Sequence, residues 1–120
     1  MTKKLLIAGS REYSAYDEAE KVIDTYLNKL TPNDTVIILS GACRGADRIG
    51  ERYAEEHGYE VRRYPADWKR YGRGAGPVRN RLMADEADYI ICFWNGKSRG
   101  SRSLIEYAEK LGKKVFVISI

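Results

Sequence analysis

Four glycine-containing segments of the chain combine residue types that bind anions. They are GSREYS (9–14), SGACRGAD (40–47), PADWKRYGRGAG (65–76) and WNGKSRGSR (94–102). Three of the four carry arginine or lysine together with an aromatic residue. Glycine lets backbone amides approach a phosphate, and arginine binds pairs of phosphate oxygens. These residue types indicate the binding of a phosphate-bearing ligand.

Two well-known phosphate motifs are absent. NGKS at 95–98 resembles the end of a Walker A loop, but that motif needs a glycine five residues before Gly96, where Ile91 stands. No GxGxxG follows the first apolar run, as a dinucleotide fingerprint requires. The sequence therefore excludes a standard P-loop NTPase and a standard dinucleotide-dependent dehydrogenase.

Catalytic side chains are scarce. The one histidine, His57, ends a helical pattern, and we expect it at the end of the sheet opposite the glycine-containing segments, which argues against a histidine-based triad. No cluster of Cys, His and Asp has the spacing of a metal site. Asp47 and Glu106 are weak candidates for a catalytic carboxylate. Asp47 has two other interpretations, as a contact to a ribose hydroxyl or as an acid that stabilises the start of a helix.

The elements that position these residues are five short apolar runs alternating with helical patterns. The runs lie at 4–8, 35–39, 60–64, 89–94 and 114–118. Between them, apolar residues recur every three to four positions, as in amphipathic helices. Ser14 is predicted to cap the first helix, with Asp17 as a weaker capping-box partner. The longest irregular piece is predicted at 65–76.

Alternating strands and helices predict a parallel sheet covered on both faces. The third run, EVRRY, alternates charged and apolar residues and is expected at an edge. The expected fold is α/β, a minimal Rossmann-like three-layer fold with a five-stranded parallel sheet in the order 3-2-1-4-5, as a single domain over residues 1–120. Strand-to-helix loops of such a sheet emerge at one rim, where ligands bind between strands one and four. The four segments should therefore converge.

Charge and composition limit the classes of binding partner that we expect. The formal net charge is +4, and residues 62–81 hold seven basic side chains against one acid, Asp67. Such a field suits a small phosphate compound or a nucleic acid. No apolar run approaches the ~20 residues that span a bilayer, so no membrane partner is expected. The two cysteines form no CxxC, and we expect a cytoplasmic protein.

The motifs GSREY, SGACRGAD, YPADWKRYGRGAGPVRNRLM and CFWNGKSRGSRSLI, in this order, resemble the cpYpsA-related, YspA-type family of the SLOG superfamily. The resemblance covers essentially the whole chain. It implies a Rossmann-like domain of bacteria and phages that binds nucleotides or nucleotide-derived ligands. SLOG relatives include phosphoribohydrolases of the Lonely Guy type and the DNA-binding DprA proteins, and they commonly self-associate.

Comparison with the phosphoribohydrolases bears on catalysis. Their signature is a Gly-Gly-x-Gly-Thr turn with a glutamate three residues after the threonine, together with an arginine in the preceding helix. Gly100-Ser101 matches the Gly-Thr step, and Arg79 is similar to that arginine, but the glutamate position is Leu104. Glu106 lies two residues on, about 200° around the helix. The resemblance thus implies a retained phosphate cradle and a lost hydrolytic carboxylate.

We therefore expect a module that binds a nucleotide-derived small molecule, as a sensor or sequestering protein, and that is more a binder than an enzyme. No certain cofactor is implied beyond that ligand. One alternative is a hydrolase of an N-glycosidic or phosphate bond that uses Asp47 or Glu106. Another is a single-stranded nucleic-acid-binding module that uses the basic residues of 62–81. A homo-oligomer is also expected. The expected ligand-binding residues are Gly9, Ser10, Arg11, Gly41, Ala42, Gly45, Asp47, Trp68, Tyr71, Arg79, Asn80, Trp94, Gly96, Ser98, Gly100 and Ser101.

Overall fold

A computed structural model describes all 120 residues as five strands, with one or two helices between each strand and the next. In chain order these are β1 (Thr2–Gly9), α1 (Tyr16–Leu30), β2 (Thr35–Ser40), α2 (Ala46–His57), β3 (Glu60–Arg63), α3 (Trp68–Tyr71), α4 (Ala75–Glu86), β4 (Tyr89–Trp94), α5 (Arg99–Lys110) and β5 (Lys114–Ser119). A single 3-10 turn (Gly72–Gly74) joins α3 to α4. None of the helices combines the length and apolar character that a membrane crossing requires.

All strand pairs are parallel, and the strand order is β3-β2-β1-β4-β5. Both the predicted fold class and the predicted order are confirmed. β3 lies at an edge, as predicted. The central strands are nearly continuous in buried residues because helices cover both of their faces.

The core consists of two apolar clusters, one on each face of the sheet. On one face, α1 and α2 pack against β1 side chains such as Leu5 and Ile7. On the other face, α4 and α5 pack against the alternate residues Leu6 and Ala8. The alternation of side chains along β1 thus places the helices in two layers, and the chain crosses between the layers at the carboxyl-end rim.

Two local predictions are wrong. Ser14 does not cap α1, because the helix begins at Tyr16 and its cap position, Ala15, makes no side-chain hydrogen bond. Segment 65–76 is not irregular, because the Asp67 carboxylate accepts a hydrogen bond from the Arg70 N–H at 3.1 Å and starts a short helix there. This helix, α3, leads through the 3-10 turn directly into α4.

Candidate functional site

A cavity of about 70 Å³ opens at the carboxyl-end rim, where the chain leaves β1 and β4 toward helices on opposite faces. Eight of the residues that we expected to bind ligand line it: Gly9, Arg11, Asp47, Arg79, Asn80, Ser98, Gly100 and Ser101. Ala8, Cys43, Met83 and Leu104 complete the wall. Typical ligand pockets measure roughly 300–1,000 Å³, so this cavity suits one small group, such as a phosphate.

Arg79 of α4 is a buried charged side chain in the wall of this cavity. Only 8% of it is exposed, and its guanidinium donates hydrogen bonds to the carbonyl oxygen of Gly41, to the Asn80 side chain at 2.8 Å and to the Cys43 sulfur at 3.6 Å. No carboxylate lies within 4 Å of it. A buried cation held by neutral acceptors keeps its charge available for an anion.

Asp47, in the first turn of α2, lines the same cavity. Its side chain is 7% exposed and accepts a hydrogen bond from the Cys43 N–H at 3.1 Å. Burial raises the pKa of Asp47 to about 6, although the Cys43 N–H and the positive charges of Arg79 and Arg11 act to lower it. The cavity thus contains a carboxyl group that titrates not far below neutral pH.

The start of α5 faces the same cavity and carries no acidic residue in its first turn. Ser98 caps the helix, and the Asn95 side chain shapes the preceding turn by accepting from the N–H groups of Lys97 and Ser98 at 2.8 and 3.0 Å. The first-turn amides of a helix have no carbonyl partner within the helix, and the helix dipole favours an anion beside them. The start of α2, in contrast, carries an acid of its own, Asp47, in its first turn.

Two glycines of the loop between β2 and α2 lie so close to neighbouring atoms that a side chain would not fit. Gly45 has a φ of +79°, and a side chain there would overlap the carbonyl oxygen of Ser10. At Gly41 a Cβ atom would lie 2.8 Å from the Asp47 carboxylate and 3.0 Å from the Arg79 guanidinium. A glycine at position 41 therefore leaves the space in which these two opposite charges face each other.

A second polar cluster lies behind Asp47, and the sequence reasoning missed it. Glu51 accepts hydrogen bonds from the Ser40 hydroxyl at 2.7 Å, from Arg48 at 3.0 Å and from Arg63 at 3.1 Å. Burial acts to raise the pKa of Glu51, but the bonds from Ser40 and Arg63 outweigh it, and the pKa is lowered. The available signal was spacing, since Glu51 lies one helical turn beyond Asp47.

Several expected ligand residues lie outside the cavity. Ser10 is buried, and its hydroxyl accepts from the Asn95 N–H at 3.2 Å. The Trp94 indole N–H donates to the Ser98 carbonyl at 3.0 Å. Trp68 and Tyr71 are 58% and 41% exposed. Ala42, with a φ of 60°, and Gly96, with a φ of +79°, shape the loops without lining the cavity.

The two candidate catalytic carboxylates, Asp47 and Glu106, lie in different cavities. Glu106 is exposed and lines a different cavity of about 200 Å³ between α4 and α5. Leu104, at the glutamate position of the phosphoribohydrolase motif, is 3% exposed and belongs to the apolar cluster under α5. Asp47 is therefore the one carboxylate in the wall of the rim cavity. His57 makes contacts elsewhere, with Glu20 at 2.9 Å and with the ring of Tyr53.

Comparison with known proteins agrees with the resemblance noted in the sequence. The model of the family described as "YspA, cpYpsA-related SLOG family" matches residues 3–71. The Gene 61 protein of Mycobacterium phage D29 is 33% identical over 118 residues, which cover 92% of this chain and 91% of the phage protein.

Solved structures of DNA processing protein A (DprA) share the fold. The Streptococcus pneumoniae protein superposes with a TM-score of 0.75 at 22% identity, over 98% of this chain and 50% of that one. The Helicobacter pylori protein, whose structure describes a single-stranded DNA binding mode, superposes with a TM-score of 0.67 at 24% identity, over 96% of this chain and 64% of that one. The chain therefore spans one half to about two thirds of these DprA chains.

Proposed function

Because the chain belongs to the YspA, cpYpsA-related SLOG family, we propose that it binds a nucleotide or nucleotide-derived small molecule at the carboxyl-end rim of its sheet, as a sensor or sequestering module. The observation that carries the proposal is the meeting of Arg11, Arg79 and the acid-free start of α5 in one small cavity. Each of these groups favours an anion, and together they form a phosphate subsite.

The rest of such a ligand must lie outside this subsite, because about 70 Å³ cannot hold a ribose and a base as well. We assign the ribose to the side of the cavity formed by Gly41 and Asp47, whose carboxylate is able to accept from a sugar hydroxyl. Trp68 and Tyr71 lie on α3, just before α4, and their exposed rings are suited to stack on a base. Self-association stays a prediction of the sequence.

The first experiment is mass spectrometry of small molecules released when the freshly purified protein is denatured. The second is calorimetric titration with AMP, ADP-ribose and ribose 5-phosphate. We expect Arg11→Met and Arg79→Ala to weaken binding roughly 10-fold or more, since each removes a charge-assisted contact to phosphate. Arg81→Met is the matched control, because Arg81 is exposed on the same helix and does not line the cavity.

Two results would contradict the proposal. One is a protein that carries no nucleotide-like molecule and binds none of the three probes. The other is wild-type affinity in both the Arg11 and the Arg79 variants, which would move the ligand away from this cavity. Equal losses in the Arg81→Met control would show that general positive charge, and not the cavity, is responsible.

A hydrolase is a second candidate, and the raised pKa of Asp47 favours it. A carboxyl group with a pKa of about 6 is able to exchange a proton near neutral pH, and Asp47 lines the cavity. Turnover of a nucleotide that Asp47→Asn abolishes while binding persists would support this function. An inert wild-type protein across a broad nucleotide panel would eliminate it.

A nucleic-acid-binding module is the third candidate. Of the basic residues in 62–81, Arg62 and Arg63 have carboxylate partners and Arg79 is buried. The four that remain exposed without a carboxylate within 4 Å are Lys69, Arg70, Arg73 and Arg81. They lie in the same stretch of chain as the exposed rings of Trp68 and Tyr71, and the DprA of Helicobacter pylori binds single-stranded DNA.

Salt dependence tests this third candidate. Four phosphate contacts predict that the logarithm of affinity for a single-stranded oligonucleotide falls with the logarithm of salt concentration at a slope of about −3. Trp68→Ala should lower the affinity for the oligonucleotide at every salt concentration. It should not change the slope, because stacking releases no counterions. Absence of binding at low salt would exclude this function.

A further inference from the structure

An apolar groove runs along the outer edge of the sheet, between α1 and β5. Two cavities form it, of about 360 and 320 Å³, and both are lined by Val22 and Ile118. The groove exists because α1 covers β5 only in part. None of the six residues of β5 is buried, although its sequence, KVFVIS, is largely apolar. Partly buried aromatic residues continue its floor, with the rings of Tyr26 and Phe116 4.4 Å apart.

The two ends of this groove carry opposite charge. At the end near the start of α1 the wall includes the carboxylates of Glu12 and Glu18. At the other end it includes Lys29, and Lys21 lies between the two ends. Glu18, Lys21 and Lys29 have no oppositely charged partner within 4 Å in the chain. The groove therefore presents unpaired charges of both signs on either side of an apolar centre.

The spacing of these residues makes the groove complementary to itself. Glu18, Val22, Thr25 and Lys29 lie within an arc of about 60° on α1, and Glu18 and Lys29 are about 16 Å apart along the helix. Residue numbers 18 and 29 have the same midpoint as 22 and 25. If a second α1 lies antiparallel across the groove, Glu18 of each copy faces Lys29 of the other, and Val22 faces Thr25. This is the arrangement of a two-fold symmetric interface.

We propose that the α1–β5 groove is the interface of a homodimer, in which the two copies of α1 cross antiparallel about a two-fold axis between Val22 and Thr25. The occupant of the groove is a second copy of this chain. The apolar floor supplies the burial, and the Glu18–Lys29 pairs set the direction and register of the two helices. The ligand cavity at the carboxyl-end rim shares no lining residue with the groove, so this dimer does not use the residues that line it.

Charge exchange tests the orientation directly, with molar mass measured by light scattering and sedimentation at up to about 100 µM protein. Wild type should be dimeric. Glu18→Lys and Lys29→Glu should each weaken the dimer roughly 10-fold or more, because each variant turns two attractive contacts into two repulsive ones. A mixture of the two variants, and the double variant, should dimerise again, because both contacts then join opposite charges.

Asp17→Lys is the matched control. It reverses a charge in the same turn of α1, with the same effect on the helix dipole, but Asp17 lies outside the groove and should leave the dimer intact. Circular dichroism checks that all variants fold. A monomeric wild type would overturn the proposal. So would single variants that dimerise as wild type does, or a mixture of the two that stays monomeric.

Discussion

Replacing Asp47 with asparagine should stabilise the protein at neutral pH. Asp47 is 7% exposed, and burial raises the pKa of its carboxyl group from 3.8 to about 6 despite the Cys43 N–H and the two nearby arginines. Each pKa unit corresponds to about 1.4 kcal/mol, so holding this group charged in the folded protein costs up to about 3 kcal/mol. Asparagine keeps an acceptor for the Cys43 N–H without the buried charge.

The gain in stability from Asp47→Asn should increase as the pH rises. A carboxyl group whose pKa is raised on folding binds a proton in the folded state at pH values where the unfolded chain has released it. Its favourable contribution is complete below about pH 4, declines as the pH rises toward 6, and is absent at pH 7. The advantage of Asp47→Asn over wild type should therefore be largest at neutral pH and small near pH 4.

Urea unfolding followed by circular dichroism at several pH values between about 4 and 8 measures this difference. Glu55→Gln is the control, because Glu55 is exposed on the same helix and its replacement should change stability by less than about 0.5 kcal/mol. An Asp47→Asn variant less stable than wild type at pH 7 would refute the reasoning, since attraction to the arginines would then exceed the penalty of burial. A stabilised variant would indicate that Asp47 is kept for a purpose other than stability.

Two further substitutions test the surroundings of the cavity, one in the loop before α2 and one in α2 itself. Gly45→Ala should lower the free energy of unfolding by more than about 2 kcal/mol, because the new methyl group overlaps the Ser10 carbonyl, whereas Gly72→Ala, at another positive φ with open space around it, should cost only about 1 kcal/mol. Equal losses in urea unfolding would contradict this steric explanation. Glu51→Gln should cost about 1–3 kcal/mol at pH 7, because it weakens a buried hydrogen bond with Ser40. Since the pKa of Glu51 is lowered on folding, the loss measured by urea unfolding should shrink as the pH falls through the acid range, and a loss independent of pH would contradict the prediction.

The sheet was predictable because its signals are strong and repeated. Each strand is an apolar run followed by a helical pattern, and this alternation restricts the topology to few arrangements. The three charged residues of β3, whose sequence is EVRR, identified an edge strand. The start of α1 was not predictable in this way, because Ser14 has the right residue type for a cap but lies two residues before the helix. One-turn elements such as α3 have no periodicity that a sequence pattern can reveal.

For the site, the sequence indicated which loops meet but not how side chains share the space between them. Arg11, Arg79 and Gly100 meet in the cavity because parallel strands release their loops at one rim. Ser10 follows Gly9 directly, yet its hydroxyl turns to the Asn95 N–H. A loop side chain either faces the cavity or forms hydrogen bonds with a neighbouring turn. Which of the two occurs depends on backbone angles, and contacts with neighbouring loops determine those angles.

The short edge strand has a consequence for where the protein opens. β3 pairs through four residues with β2 only, none of them fully buried, and the Arg63–Glu51 ion pair at 3.1 Å adds one tether. β1, flanked by two strands, can release its amide protons only when the whole sheet comes apart. β3 and the residues that follow it, up to the start of α4, can detach alone, so their amides should exchange with solvent sooner than those of β1. That segment carries Trp68 and Tyr71, so these rings would be able to move toward the proposed ligand while the sheet beneath the cavity stays intact.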